Sequence, residues 1–255
     1  MRIKILGCSG GVGAGLRTTS ILIDDDILID AGTGLGDLAL AELRQIRHVF
    51  LTHAHLDHVA GLPLFIDAAF DSLIAHPLEI HARVETIEAL RAHMFNGIVW
   101  PDFSKLPVPS APVLRFHPIE LGARLEVAGR VFRPIDVAHS VPSVGYCVEF
   151  ADKVFAFSGD TMSNHTLWPV LNDYPKIDVF IVEVSFPNRL QTLARTAGHY
   201  CPSSLAVDID KLTHDPDIWI TGMKPGDEDL IMSETMMALP SRRIRRLTAG
   251  QVFEL

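Results

Sequence analysis

Residues 52–58 read Thr-His-Ala-His-Leu-Asp-His, and this stretch constrains the fold more than any other feature of the chain. It follows an apolar, strand-like run at residues 48–52, and loops at the ends of rigid elements are where scaffolds carry their chemistry. In an extended segment residues i and i+2 face the same way, so His53 and His55 can grip one cation together. Asp57 and His58 follow as the chain turns toward the next helix, and they point elsewhere. Four ligands in six residues, alternating this way, suit two metals better than one. Imidazole with carboxylate suits zinc, iron or manganese. The bland reading is a run of solvated histidines, but three histidines and an aspartate seldom cluster by chance.

The chain holds 12 histidines, and a two-metal site needs ligands from elsewhere along it. Candidates are polar residues at strand ends. His139 follows the strand-like Ile135-Asp-Val137, and Asp160 lies in Ser158-Gly-Asp-Thr161 after an apolar run. His199, in Gly198-His-Tyr200, is a third loop histidine. His48, His76, His81, His93, His117, His165 and His214 have no such context and read as bystanders.

The rest of the chain reads as mixed β/α, then β-rich, then β/α again. Strands are expected at residues 2–6, 20–24, 27–30, 48–52, 78–81, 113–117, 124–127, 131–137, 143–150, 154–158, 179–184 and 218–221. Helices are expected at about 36–45 (with Thr33 as a cap), 60–70, 84–95, 203–212 (Ser203 as N-cap) and 228–239. Residues 97–112 carry four prolines and no period, which predicts a long loop or lid. Its aromatics, with Phe95, Trp100 and Phe103, offer either packing or faces for a base to stack on. One domain over residues 1–255 is expected.

The Gly-rich stretch from Gly7 to Gly15 follows a strand and invites a nucleotide-binding reading, but a P-loop would need a Lys that is absent. A dinucleotide fingerprint would open a helix, whereas residues 18–24 read as another strand. A tight hairpin or the rim of a site fits better. Net charge is −9, which disfavours general nucleic-acid binding, because phosphate-backbone affinity comes from cations. The exception, Arg242-Arg-Ile-Arg-Arg246, reads as a solvated face. The three cysteines, Cys8, Cys147 and Cys201, are odd in number and widely spaced, so they read as reduced thiols. No segment approaches the roughly 18–20 uncharged apolar residues of a membrane span, and the start shows no secretory pattern. A cytoplasmic location is the default expectation.

The loop His53-Ala-His-Leu-Asp-His58 resembles the signature of the metallo-β-lactamase superfamily, as do Ile3-Lys-Ile-Leu-Gly7 and Asp30-Ala-Gly32 before it. The resemblance implies an αββα sandwich of two mixed sheets with helices on the outer faces, over nearly the whole chain. It implies two divalent ions, zinc foremost, with manganese or iron as alternatives. His139 matches the superfamily's next ligand and Asp160 its bridging carboxylate. The first ion then has His53, His55, His139 and Asp160, and the second has Asp57, His58 and the shared Asp160. Where the family pattern has a last histidine after a strand, this chain has Gly222, so the second site is expected to be weak, water-completed or empty.

Two branches of the superfamily are the nearest in pattern. Class II cyclic-nucleotide phosphodiesterases are similar in His53–Leu62, His93-Met-Phe-Asn96, Trp100-Pro101, Ser158–Thr161, Gly198-His199 and Thr221–Gly226. Ribonuclease Z shares the metal loop and the Gly-His element, but its arm for transfer RNA has no counterpart here. A true β-lactamase is a poorer match, because those enzymes are exported. The resemblance implies a small-molecule phosphodiester substrate, hydrolysed by a metal-bridged hydroxide that Asp57 orients. His199 would donate a proton to the leaving oxygen or steady a phosphate oxygen. It also leaves open a homodimer, and a sensor on a degenerate scaffold that holds one metal without efficient turnover.

Overall fold

The computed structural model describes all residues from 1 to 255. They divide into two compact units. The first comprises residues 1–8, 15–119 and 249–254, and the second comprises residues 9–14, 120–248 and 255.

The first unit contains β1 (Arg2–Gly7), β2 (Ser20–Ile23), β3 (Ile27–Ile29), β4 (His48–Phe50), β5 (Leu78–Ala82), a small hairpin of β6 (Pro107–Val108) and β7 (Ala111–Pro112), and β8 (Leu114–Pro118). The second unit contributes β9 (Leu125–Val127), β10 (Arg130–Val137), β11 (Ser143–Phe150), β12 (Lys153–Phe157), β13 (Val179–Glu183), β14 (Ile218–Thr221) and β15 (Ile244–Arg246). The last strand, β16 (Val252–Glu254), returns to the first unit beside β1. Each unit has one mixed seven-stranded sheet, in the orders β16-β1-β2-β3-β4-β5-β8 and β15-β14-β13-β12-β11-β10-β9.

Strand direction is what positions the site. In the first sheet β3, β4, β5 and β8 run parallel. In the second, β12, β13, β14 and β15 do. Parallel strands bring their C-terminal ends to the same edge, where open α/β sheets carry their ligands. Asp30 and Thr52 leave adjacent strand ends in the first unit, and Ser158, Glu183 and Gly222 do so in the second.

The helices are α1 (Leu40–Leu43), α2 (Leu56–Val59), α3 (Leu62–Ala75) and α4 (Val84–His93) in the first unit, then α5 (Leu167–Asn172), α6 (Gln191–Ala197), α7 (Pro202–Ile209) and α8 (Glu228–Ala238) in the second. In α3 the buried residues Leu62, Phe65, Ile66, Ala69 and Leu73 recur at helical spacing. They join Leu28, Val49, Ile80 and Leu114 of the sheet in one core. Each such side chain contributes about 1.5–3 kcal/mol when fully buried. The second unit has its own core, in which Trp168, Leu205 and Ile231 of the helices meet Phe180, Val182 and Ile220 of the sheet.

Several sequence expectations change. The helix over 36–45 is broken into a 3-10 turn at Thr33–Asp37 and the four-residue α1, because the chain turns extended at Leu38. Cys201, not Ser203, is the N-cap of α7, and the Ser204 hydroxyl accepts from its backbone N–H at 3.0 Å. The segment 97–112 holds the β6–β7 hairpin, and Phe95 and Phe103 are buried in the first core with Trp100 packed against it. Those aromatics pack; the two phenylalanines are not open faces for a base. The helical run Leu56–Ala75 is long and apolar enough to cross a membrane by length and composition only, but it carries Asp57, Asp67 and Asp71 and its apolar side belongs to the core just described.

Candidate metal centre

In the first unit the site begins with Asp30, the residue after β3. Its carboxylate is fully buried. One oxygen accepts from the Thr52 N–H at 2.8 Å, and the other lies 2.8 Å from Thr52 Oγ1 and 2.7 Å from His58 Nδ1. Burial pushes the Asp30 pKa up, while His58 and Thr52 oppose that shift. The Thr52 hydroxyl donates to Asp30, so its oxygen is left to accept from His53 Nδ1 at 2.9 Å. Both His53 and His58 are thereby held through Nδ1, which makes Nε2 the nitrogen that each could offer a cation.

The metal loop folds this way because two glycines let backbones touch. A Cβ on Gly32 would stand 2.4 Å from the Asp57 carbonyl oxygen, and one on Gly61 would stand 2.6 Å from the Gly32 carbonyl oxygen. The His53 and His55 rings meet edge to face with centroids 4.6 Å apart, as the i, i+2 spacing predicts. The His53 and His58 rings lie closer, at 4.2 Å. His58 therefore does not turn away from His53, because its bond to Asp30 swings it back. Asp57, in the first turn of α2, is half-buried.

In the second unit His139, Asp160 and His199 come together, with one potential ligand atom from each within 4.8 Å of the others. The Gly198 carbonyl accepts from His139 Nδ1 at 2.7 Å, so in a neutral His139 the ring lone pair is on Nε2. Burial lowers the His139 pKa, against the opposing pull of Asp160 and that carbonyl. Gly198 closes α6 in the left-handed conformation, φ 78°, and a Cβ there would stand 3.0 Å from His139 Nδ1.

His199 is anchored by a residue that sequence reading missed. Glu183, fully buried at the end of β13, lies 2.9 Å from His199 Nδ1 through Oε1. Its Oε1 also accepts from the Thr161 N–H at 3.0 Å, and its Oε2 accepts from the Ser185 hydroxyl at 2.9 Å. Burial works against a charge on His199, but the Glu183 carboxylate, with Asp160 further off, holds its pKa above the ordinary histidine value. The pair is suited to carrying and giving up a proton. Only an acidic residue closing an otherwise apolar strand could have signalled Glu183 in the sequence.

Gly222 sits after β14 with φ 74°, a backbone conformation that disfavours side chains. A Cβ there would meet Glu183 Cβ and Ser185 Oγ, each at 3.4 Å, so there is room for an atom but strain in the chain. Its carbonyl packs on Gly10, where a Cβ would stand 2.1 Å from it. The Gly10 N–H donates to the Met223 carbonyl at 2.9 Å, and Lys224 Nζ donates to the Gly10 carbonyl at 2.8 Å. The Gly-rich stretch is thus clamped to the turn after β14 and opens no helix.

Among the histidines read as bystanders, His48, His81 and His117 group on one sheet face. His48 Nδ1 is 3.2 Å from His81 Nε2, and the His81 and His117 rings stack at 5.0 Å. Burial, with its two neighbours, lowers the His81 pKa to about 3. The stacked rings do not converge on a point. The arginine run is a solvated face, as expected, with Arg243, Arg245 and Arg246 exposed and also paired. Arg242 donates to the carbonyls of Ile209, Leu212 and His214, and Arg243, Arg245 and Arg246 pair with Asp215, Asp217 and Asp229.

Residues 13–195 match the metallo-beta-lactamase superfamily. A probable 3′,5′-cyclic-nucleotide phosphodiesterase of Yersinia pestis is 29% identical over 255 aligned residues, spanning 82% of this chain and 71% of that protein. A ribonuclease Z of Pyrococcus abyssi is 30% identical over 146 residues, which cover 56% of this chain and 45% of that protein. The solved structure of unliganded yeast PDE1 superposes on the full chain with TM-score 0.83, covering 99% of that structure at 18% identity, a likeness of fold.

Proposed function

The chain belongs to the metallo-beta-lactamase superfamily of hydrolases, and from that membership we propose that it is a phosphodiesterase opening a 3′,5′-cyclic nucleotide to the 5′-nucleotide. The observation that carries the metal-dependent reading is that His53, His58 and His139 are each held through Nδ1 by an oxygen, which orients Nε2 for coordination. The donor set, imidazoles with carboxylates, fits divalent zinc, and manganese or iron as alternatives. The proposed ligands are His53, His55, His139 and Asp160 for one ion, with Asp57, His58 and the shared Asp160 for a second that Gly222 leaves short of a donor.

Divalent ions bound by these residues would supply charge neutralisation and a water of lowered pKa. Asp57 orients the attacking water toward phosphorus. The P–O3′ bond breaks as the water oxygen bonds to phosphorus and sheds one proton to solvent, and His199 gives its own proton to the departing 3′-oxygen. Glu183 steadies the positive charge on His199 before that transfer. The substrate class is supported by the likeness to the Yersinia pestis phosphodiesterase over 82% of the chain.

A second reading, a one-metal sensor with little turnover, is favoured by Gly222 alone. Both readings meet the same test. His53→Ala and Asp160→Ala should abolish hydrolysis and deplete bound metal, and either variant retaining wild-type turnover and metal content would make the ligand assignment wrong. A panel of cyclic nucleotides, an aryl phosphodiester, a precursor transfer RNA and a thioester separates phosphodiesterase from ribonuclease, other hydrolase and sensor.

A further inference from the structure

Asp208 lies on α7, away from the ligand positions in sequence, and is almost fully buried. Its carboxylate collects donors from two separate loops. From the loop after Asp160, the Ser163 hydroxyl donates at 2.8 and 2.9 Å and the Asn164 N–H donates at 3.1 Å. From the loop that carries His199, the Tyr200 hydroxyl donates at 2.6 Å. Lys211, one turn on, donates at 2.7 Å and balances the charge.

Asp208 is one of two buried acids that join these loops, Glu183 being the other. Asn164 Nδ2 reaches back to Thr161 Oγ1 at 3.1 Å, and Thr161 is the neighbour of Asp160. Thr161 Oγ1 donates to the Ala138 carbonyl at 3.1 Å, beside His139. Tyr200 is the neighbour of His199, and its ring is fully buried. A displacement of the Asp208 carboxylate therefore reaches the chain neighbour of His199 through one hydrogen bond, that of Asp160 through two and that of His139 through three. Glu183 braces the same three from the strand side, through Thr161 and His199. The two acids work from opposite ends of the loops.

We infer that Asp208 is a positioning residue, whose carboxylate on α7 holds the Asp160 and His199 loops in the mutual register that metal binding and proton delivery require. The inference rests on the functional reading above, in which His139, Asp160 and His199 serve metal binding and turnover. An isosteric amide cannot take its place fully. Asp208→Asn keeps one accepting oxygen, but turns an N–H₂ group either toward the Ser163 and Lys211 donors at the Oδ1 position or toward the Ser163, Asn164 and Tyr200 donors at the Oδ2 position.

The test compares the full-length wild-type protein with Asp208→Asn, Tyr200→Phe and the double variant Ser163→Ala/Tyr200→Phe. Each metal-free protein is titrated with Zn²⁺ against a chromogenic chelator, and each is loaded with Co²⁺ for its visible absorption spectrum. Thermal unfolding shows which variants are folded, and bis(p-nitrophenyl) phosphate reports kcat and KM. Losing a direct outer partner of a metal ligand typically costs about 10–100-fold in metal affinity or activity; Asp208 acts one residue further out, so Asp208→Asn is expected at about the lower end of that range, with a changed Co²⁺ spectrum. The kcat should fall by more than KM rises. Tyr200→Phe should show a smaller effect in the same direction.

A folded Asp208→Asn with wild-type Zn²⁺ affinity and Co²⁺ spectrum overturns the inference. If Asp208→Asn does not fold, the double variant decides on the same two readouts. A wild-type protein that binds Zn²⁺ yet hydrolyses no phosphodiester defeats the functional reading, and the titration and spectrum still judge Asp208.

Discussion

At the residue scale, the metal loop is held by groups that coordinate nothing themselves. Asp30 is the sharpest case. Its carboxylate fixes His58 directly and His53 through the Thr52 hydroxyl. Asp30→Asn should therefore weaken zinc binding by about 10–100-fold and lower stability by about 1–3 kcal/mol, the cost of a buried polar group left unpaired. Zinc titration of the metal-free protein and urea unfolding read the two effects. Gly222 gives a second prediction. Gly222→His should raise zinc per chain, at a backbone cost of about 1–2 kcal/mol from its left-handed φ. Unchanged stoichiometry would mean that the position is no vacated ligand.

The His-rich loop was legible because its residue types are dense and their alternation has geometric meaning. Asp30, Glu183 and Asp208 were not legible in these roles. Each is a lone acid whose role depends on partners remote in sequence: His58 is 28 residues from Asp30, His199 is 16 from Glu183 and Ser163 is 45 from Asp208; even the Asp208–Tyr200 bond, at a separation of eight, spans a loop end and a helix whose relative placement no local pattern predicts. Charge alone cannot say that a carboxylate will be buried.

At the element scale, most strands followed from apolar patterning, since β-branched runs between turn residues have few other uses. The misses have local reasons. The helix α5 is only six residues long and contains Pro169. The strand β15 is Arg-rich, and its Arg245 and Arg246 are answered by Asp217 and Asp229 rather than by solvent alone. The end of α6 carries a prediction of its own. Gly198→Ala would force a left-handed alanine and set its Cβ 2.7 Å from the Ser140 nitrogen, beside His139. A loss of about 1–3 kcal/mol is expected, with lower zinc affinity, and paired urea unfolding and zinc titration check both.

At the scale of the whole molecule, the chain builds two sheets with two cores, one in each unit. The fold class was legible because the metal loop resembles a family signature, whereas the division into two units rests on long-range contacts that no local pattern shows. Metal should contribute to stability by mass action. Occupancy at a hundred times Kd stabilises by about 2.7 kcal/mol, so chelation should lower Tm by roughly 5–10 °C for a chain of this length. A chelator that leaves Tm unchanged would speak against tightly held ions.

The most direct measurement is incubation of the zinc-reconstituted protein with 3′,5′-cyclic AMP, resolving the products by ³¹P NMR. The account predicts steady formation of 5′-AMP, abolished in His53→Ala. Zinc-replete wild-type protein that leaves the cyclic nucleotide intact would contradict it.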